Sequence, residues 1–207
     1  MKVSILIISL LLLGGWQSKN EKPNSNESSN TKIVPLNNDD SILPDKLSFF
    51  LKKEMLNWKL VSKAQWLEEG YVESYNHNDA IVEKIAYESN IFVKGDFNGD
   101  KREDYICFLI DNKNNVVLWA FHQTEIEFEK IKISDEGSIE KCCVGAGVSI
   151  QEPALIENPF YDETGTYDNG IKKIDLKHKG IIYSIYEKTA RLYYFDGEAY
   201  NSFLLSD

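Results

Sequence analysis

The chain has 207 residues with 23 basic and 33 acidic side chains, a formal charge of -10 at neutral pH. It has no clusters of Lys and Arg to neutralise phosphates, which excludes nucleic acid as the expected partner. Hydrophobic residues make up 43% and aromatics 12%, enough for a core and too many for a wholly disordered chain, and the length suits one folded domain.

Met1 and Lys2 lead into an apolar run at 3–13, interrupted only by Ser4 and Ser9 and ended by Gly14 and Gly15. As a helix it spans about 16 Å, half of a hydrocarbon core of roughly 30 Å, so residues 1–15 read as a secretory signal peptide rather than a membrane span. Leu13, Gly14 and Gly15 resemble the lipobox of bacterial lipoproteins, in which a Cys comes next. Trp16 stands in that place, so a membrane anchor through lipid is expected only if Trp16 were Cys. In 16–30, Ser and Asn fill eight of fifteen positions with no apolar period, and such a segment cannot offset its ordering entropy. Residues 16–42 are therefore expected to form a disordered Ser/Asn-rich tether. Signal and tether together imply export, to the periplasm or cell surface of a bacterium.

Residues 43–207 are expected to form a single globular domain. It carries the acidity, with 28 acidic against 19 basic residues from Lys46 onward, as a solvated surface. Pro44 and Asp45 make a helix start, and Leu47, Phe50, Leu51 and Met55 recur on one face, which predicts a helix to about Leu56. Trp58, Leu60 and Trp66 are core anchors in a less regular stretch, and 79–88 is a weaker second helix.

Strand patterns then take over. Short β-branched or continuous apolar runs at 91–94, 105–110 and 116–121 predict strands, the last two joined by the polar turn 111–115, and Ile126, Phe128, Lys130 and Ile133 suggest another. Residues 134–170, rich in Gly, Pro, Asn and Asp, read as a long connecting loop, with Gly145, Ala146 and Gly147 part of it. Strands follow at 171–176, 181–186, 190–195 and 200–205, the last pair joined at Asp196-Gly197, a hairpin signal because its tight turn needs positive φ. The expected class is α+β, mainly antiparallel β with one or two N-terminal helices, and not a full propeller.

Between the strands at 91–94 and 105–110 lies Gly95-Asp96-Phe97-Asn98-Gly99-Asp100-Lys101-Arg102-Glu103-Asp104. Counting Asp96 as position 1, side-chain oxygens fall at 1, 3, 5 and 9 from Asp96, Asn98, Asp100 and Asp104, with the Arg102 carbonyl at 7. Calcium takes six to eight oxygens at about 2.3–2.6 Å, and alternate residues of a tight loop can bring them together. Clustered carboxylates otherwise repel one another, which a cation offsets. The other reading is a metal-free turn in which the same oxygens cap backbone N–H groups.

This segment resembles the loop of the FG-GAP and VCBS repeats of integrin α-subunit propellers. The resemblance implies calcium as the cofactor and Asp96, Asn98, Asp100 and Asp104 as side-chain ligands. It departs from the family at Lys101, where a Gly usually sits at the sharp sixth position; a Lys held at positive φ costs on the order of 1 kcal/mol. No Glu follows at position 12, where Cys107 stands, so the loop is not an EF-hand. It occurs once, so no propeller is implied.

The remaining chemistry-bearing residues form no recognisable constellation. Cys107 lies in an apolar strand as a small buried hydrophobe, with a bridge to Cys142 or Cys143 left open. His77, His122 and His178 are far apart, and Glu68 and Glu69 are adjacent and solvated. The expected function is that of an exported, non-catalytic domain with a structural calcium loop, acting by binding another protein or an envelope component. The alternatives are a secreted inhibitor or immunity-type protein and a calcium-supported hydrolase.

Overall fold

The computed structural model describes residues 43–62, 90–139, 146–159, 161, 171–185 and 189–206. The expected signal and tether, the second helix at 79–88, Trp66, Glu68, Glu69, His77, Cys142 and Cys143 lie outside them. The described elements are one helix, α1 (Asp45–Glu54), and eleven strands: β1 (Trp58–Leu60), β2 (Phe92–Gly95), β3 (Asp104–Asp111), β4 (Asn115–Gln123), β5 (Phe128–Ser138), β6 (Ala146–Gln151), β7 (Leu155–Glu157), β8 (Lys173–Asp175), β9 (Gly180–Ile185), β10 (Thr189–Phe195) and β11 (Tyr200–Ser206). Every strand pairing among them is antiparallel. The fold is thus mainly antiparallel β with a single short helix among the described residues, and α+β describes it only loosely.

β3 organises the fold. Seven of its eight residues are buried, so both of its faces must be covered, and its sequence is accordingly a continuous apolar run rather than an alternating one. Ile106, Phe108 and Ile110 pack with Val116, Leu118 and Ala120 of β4 against Ala146 and Val148 of β6 and Ile181 and Tyr183 of β9. Tyr105, Cys107 and Leu109 point the other way, where with Phe121 and Phe128 they meet Leu47, Phe50, Leu51 and Met55 of α1. The result is helix on sheet on sheet. The first sheet runs β1-β3-β4-β5 with β2 also paired to β3, the second runs β11-β10-β9-β6, and β7 and β8 pair separately.

α1 begins after Pro44, places Asp45 in its first turn and Lys52 and Lys53 in its last, a charge order that suits the helix dipole. Its apolar residues sit as the spacing predicts, and the Phe50 ring meets Phe128 edge-on at 5.5 Å and Phe121 at 6.0 Å. Trp58 and Leu60, read as irregular anchors, form β1 because β3 offers them an edge, with Trp58 opposite Asp111 and Leu60 opposite Leu109.

The stretch 134–170 is not one loop. Residues 134–138 complete β5, and β6 and β7 lie within it. Ala146 and Gly147 are buried in β6, opposite Ile185 and Ser184 of β9. Those small residues have little strand propensity of their own, and pairing with β9 decides their conformation. At 196–199 the chain makes a four-residue connection, with Phe195 opposite Tyr200. Asp196 Oδ1 accepts from the Glu198 and Ala199 amides, and Gly197 supplies the positive φ, at 108°.

Cys107 is a fully buried free thiol, and both partners of the bridges left open by the sequence lie outside the described residues. Burial alone pushes that thiol well above its ordinary range, which makes it inert as a nucleophile.

Candidate functional site

The acidic loop is the tip of the β2–β3 hairpin, closed where Gly95 faces Asp104. Phe97, the one apolar residue within it, is fully buried and joins the core between the two large sheets. The loop is therefore anchored through its second residue. An aromatic residue among so many acids was the sequence signal for this, since exposing a Phe there would gain nothing.

Asp104, at the ninth position, is also fully buried. Its Oδ2 accepts from the Phe97 amide at 2.9 Å and its Oδ1 from the Gln123 amide of β4 at 2.9 Å. Burial pushes its carboxyl up to about 6, aided by the charge of Asp100, while the amide donors pull the other way. Asp96 spans the loop, with Oδ1 accepting from Gly99 at 2.6 Å and Oδ2 from Lys101 at 2.9 Å. Asn98 Oδ1 accepts from the Asp100 amide at 3.0 Å.

Asp100 Oδ1 accepts from the Arg102 amide at 2.8 Å, and its Oδ2 pairs with the Arg102 guanidinium at 2.9 Å. Burial raises the Asp100 carboxyl, but the hydrogen bonds from Arg102 and Asn98 outweigh it and hold the group below the usual carboxylate range. The second Arg102 nitrogen reaches Glu125 at 3.4 Å. Beside the loop, Glu103 pairs with Lys94 at 3.1 Å and accepts from the Tyr105 hydroxyl at 2.9 Å; Lys94 first, then Tyr105, hold its carboxyl low.

Lys101, at the sixth position, has φ 67°, the left-handed conformation that favours glycine. Gly99 is at φ 82° beneath the ring of His178: a Cβ there would lie 2.1 Å from His178 Cε1. His178 approaches from a distant part of the chain, and no local spacing announced it.

Asp96, Asn98, Asp100, Arg102 and Asp104 are thus brought into one short loop, as the spacing predicts. Their side-chain oxygens face backbone amides and the Arg102 guanidinium. Among the described residues, no three His, Cys, Asp or Glu side chains are gathered so as to hold a metal ion. The donor chemistry itself, carboxylates with an amide and a main-chain oxygen, suits a hard cation such as calcium.

A cleft of about 300 Å³ adjoins the loop, lined by Asn98, His178, Lys179 and Tyr194 among others. Its two acids among the described residues are already engaged: Asp175 pairs with Lys177, which also lines the cleft, and Asp196 caps the 196–199 connection.

On the inner side of the loop, His122 is buried and its Nε2 lies 2.9 Å from the Tyr200 hydroxyl, which ties β4 to β11. The Phe195 ring meets its imidazole edge-on at 4.6 Å. Burial lowers the His122 pKa, and the opposing charges of Glu129, Asp100 and Asp96 do not restore it. In the unfolded chain a His titrates near about 6.5, so the unfolded state takes up this proton first and stability is lost as pH falls below that value. The stability advantage of wild type over His122→Gln should therefore shrink between pH 7.5 and 5.5 in urea titrations. A constant difference would mean that the imidazole is not held neutral.

Comparison of the chain with protein-family models, curated proteins and solved structures finds no match.

Proposed function

We propose that this chain is an exported, non-catalytic domain whose loop 96–104 takes up calcium, and that it acts by binding another protein or a component of the cell envelope. The observation that carries the calcium reading is Lys101 at φ 67°. A charged, Cβ-bearing residue holds a strained conformation at the position where a calcium loop of this spacing turns. Around it stand oxygen-bearing side chains at positions 1, 3, 5 and 9 and the Arg102 carbonyl at 7. Calcium would join these oxygens, stiffen the hairpin tip and offset the repulsion among Asp96, Asp100 and Asp104. For that, Asp100 has to release Arg102, and the carboxylates have to turn from the amides they cap.

Those same hydrogen bonds favour the second reading, a metal-free turn in which Arg102 supplies the compensating charge. Thermal melting separates the two. Extracellular calcium modules bind at roughly 0.1–1 mM, and calcium at about ten times the dissociation constant adds about 1.4 kcal/mol, a rise of about 3–6 °C in a domain of this size. Asp100→Ala should remove that rise while leaving a folded protein in EDTA. Lys101→Gly should stabilise the fold by about 1 kcal/mol in EDTA and further in calcium, because glycine relieves the backbone strain. Melting that is indifferent to millimolar calcium in both wild type and Lys101→Gly leaves the metal-free turn.

A further inference from the structure

We propose that the groove between α1 and β1 binds a single-chain anionic amphiphile, a long-chain carboxylate, with its acyl chain in the groove and its head group at Lys52 and Lys59. The groove has a volume of about 410 Å³, and Leu51, Met55, Leu56, Trp58 and Leu60 are among its lining residues. That size and apolar lining are those of a small-ligand site. Leu56 is 81% exposed at this place, and Phe49 of the same helix is 71% exposed.

The polar groups of the lining define the head group. Among the described residues they are Ser48, Lys52 and Lys59, with no carboxylate, although acids outnumber bases 33 to 23 in the chain. Ser48 already donates to the Leu43 carbonyl at 3.5 Å. Lys53, next along the helix, is paired with Glu54 and Glu127. Lys52 and Lys59 have no ion-pair partner among the described residues. Two cations with no ion-pair partner among the described residues, beside an apolar channel, complement a ligand with one anionic end and a long apolar body. A peptide would also bring N–H groups that need acceptors, and the described lining side chains offer two ammonium donors against one acceptor, the Ser48 hydroxyl oxygen.

The site lies on the helix side of the first sheet, away from loop 96–104, and is independent of the calcium reading, so the test is run in EDTA. Trp58 is the reporter. Decanoate, dodecanoate and tetradecanoate are titrated against the full chain below their micelle concentrations, and brominated dodecanoate serves as the quencher. The expected result is saturable one-to-one binding that tightens about 3–4-fold per methylene, with quenching largely lost in Trp58→Phe. Dodecanol should bind at least tenfold more weakly than dodecanoate. The exposed charge reversals Lys52→Glu and Lys59→Glu together, and separately Leu56→Asp, should weaken dodecanoate at least tenfold with melting temperatures unchanged. Non-saturable quenching, equal affinity for dodecanol, or indifference to both sets of substitutions would overturn the proposal. Association with phosphatidylglycerol vesicles in the absence of dodecanoate binding would overturn it in favour of a membrane-docking face.

Discussion

Phe97→Ala is expected to lower the stability of the domain by about 3–5 kcal/mol, the cost of emptying a fully buried aromatic site. For a domain of this size that amounts to a fall of about 6–20 °C in melting temperature. The residue is placed by sequence inside an acidic surface loop, where substitution ordinarily costs less than about 0.5 kcal/mol. The large effect follows from its packing with Ile106, Phe108 and Ile181 between the two sheets. Phe97→Leu should recover more than half of the loss, since it refills most of the volume. Urea titration of the three proteins measures the series, and a loss below 1 kcal/mol for the alanine variant would show that the loop is not anchored in the core.

Asp104→Ala is expected to cost about 2–5 kcal/mol. Both carboxylate oxygens are occupied, by the amides of Phe97 and Gln123, and removing the side chain leaves two enclosed N–H groups without partners at about 1–3 kcal/mol each. Asp104→Asn should lose roughly half as much. Its amide oxygen satisfies one N–H, while its amide nitrogen, a donor only, faces the other. Either substitution should also remove any calcium-dependent rise in melting temperature. Equal stability of Asp104→Asn and Asp104→Ala would mean that neither amide depends on this side chain.

The strands that the sequence made legible are those whose burial is decided locally. The run at 105–110 announced β3 because both of its faces are covered, and Asp196-Gly197 announced the β10–β11 hairpin because its turn needs a residue at positive φ. The strands it concealed depend on distant partners. β7 is three residues long, and its Leu155 finds Asp175 of β8 only through the tertiary fold; β6 is made a strand by β9. The loop shows the same division. Its oxygens were legible from spacing, and so was the unusual position of Lys101. The amide of Gln123, the guanidinium contact to Glu125 and the ring of His178 over Gly99 were not, because each arrives from another part of the chain.

The burial of Cys107 turns this thiol into a clock. Because its sulfur is sealed between α1 and the first sheet, a thiol reagent such as Ellman's can reach it only when the helix lifts from the sheet or the sheet opens. In a variant with Cys142 and Cys143 replaced by serine, the rate of colour development under native conditions reads the frequency of those openings. Where reclosing is slow relative to chemistry the labelling rate is the opening rate itself; where it is fast, the rate reports the free energy of opening. Each substitution at Phe97 or Asp104 can then be placed on a time axis as well as on an equilibrium one.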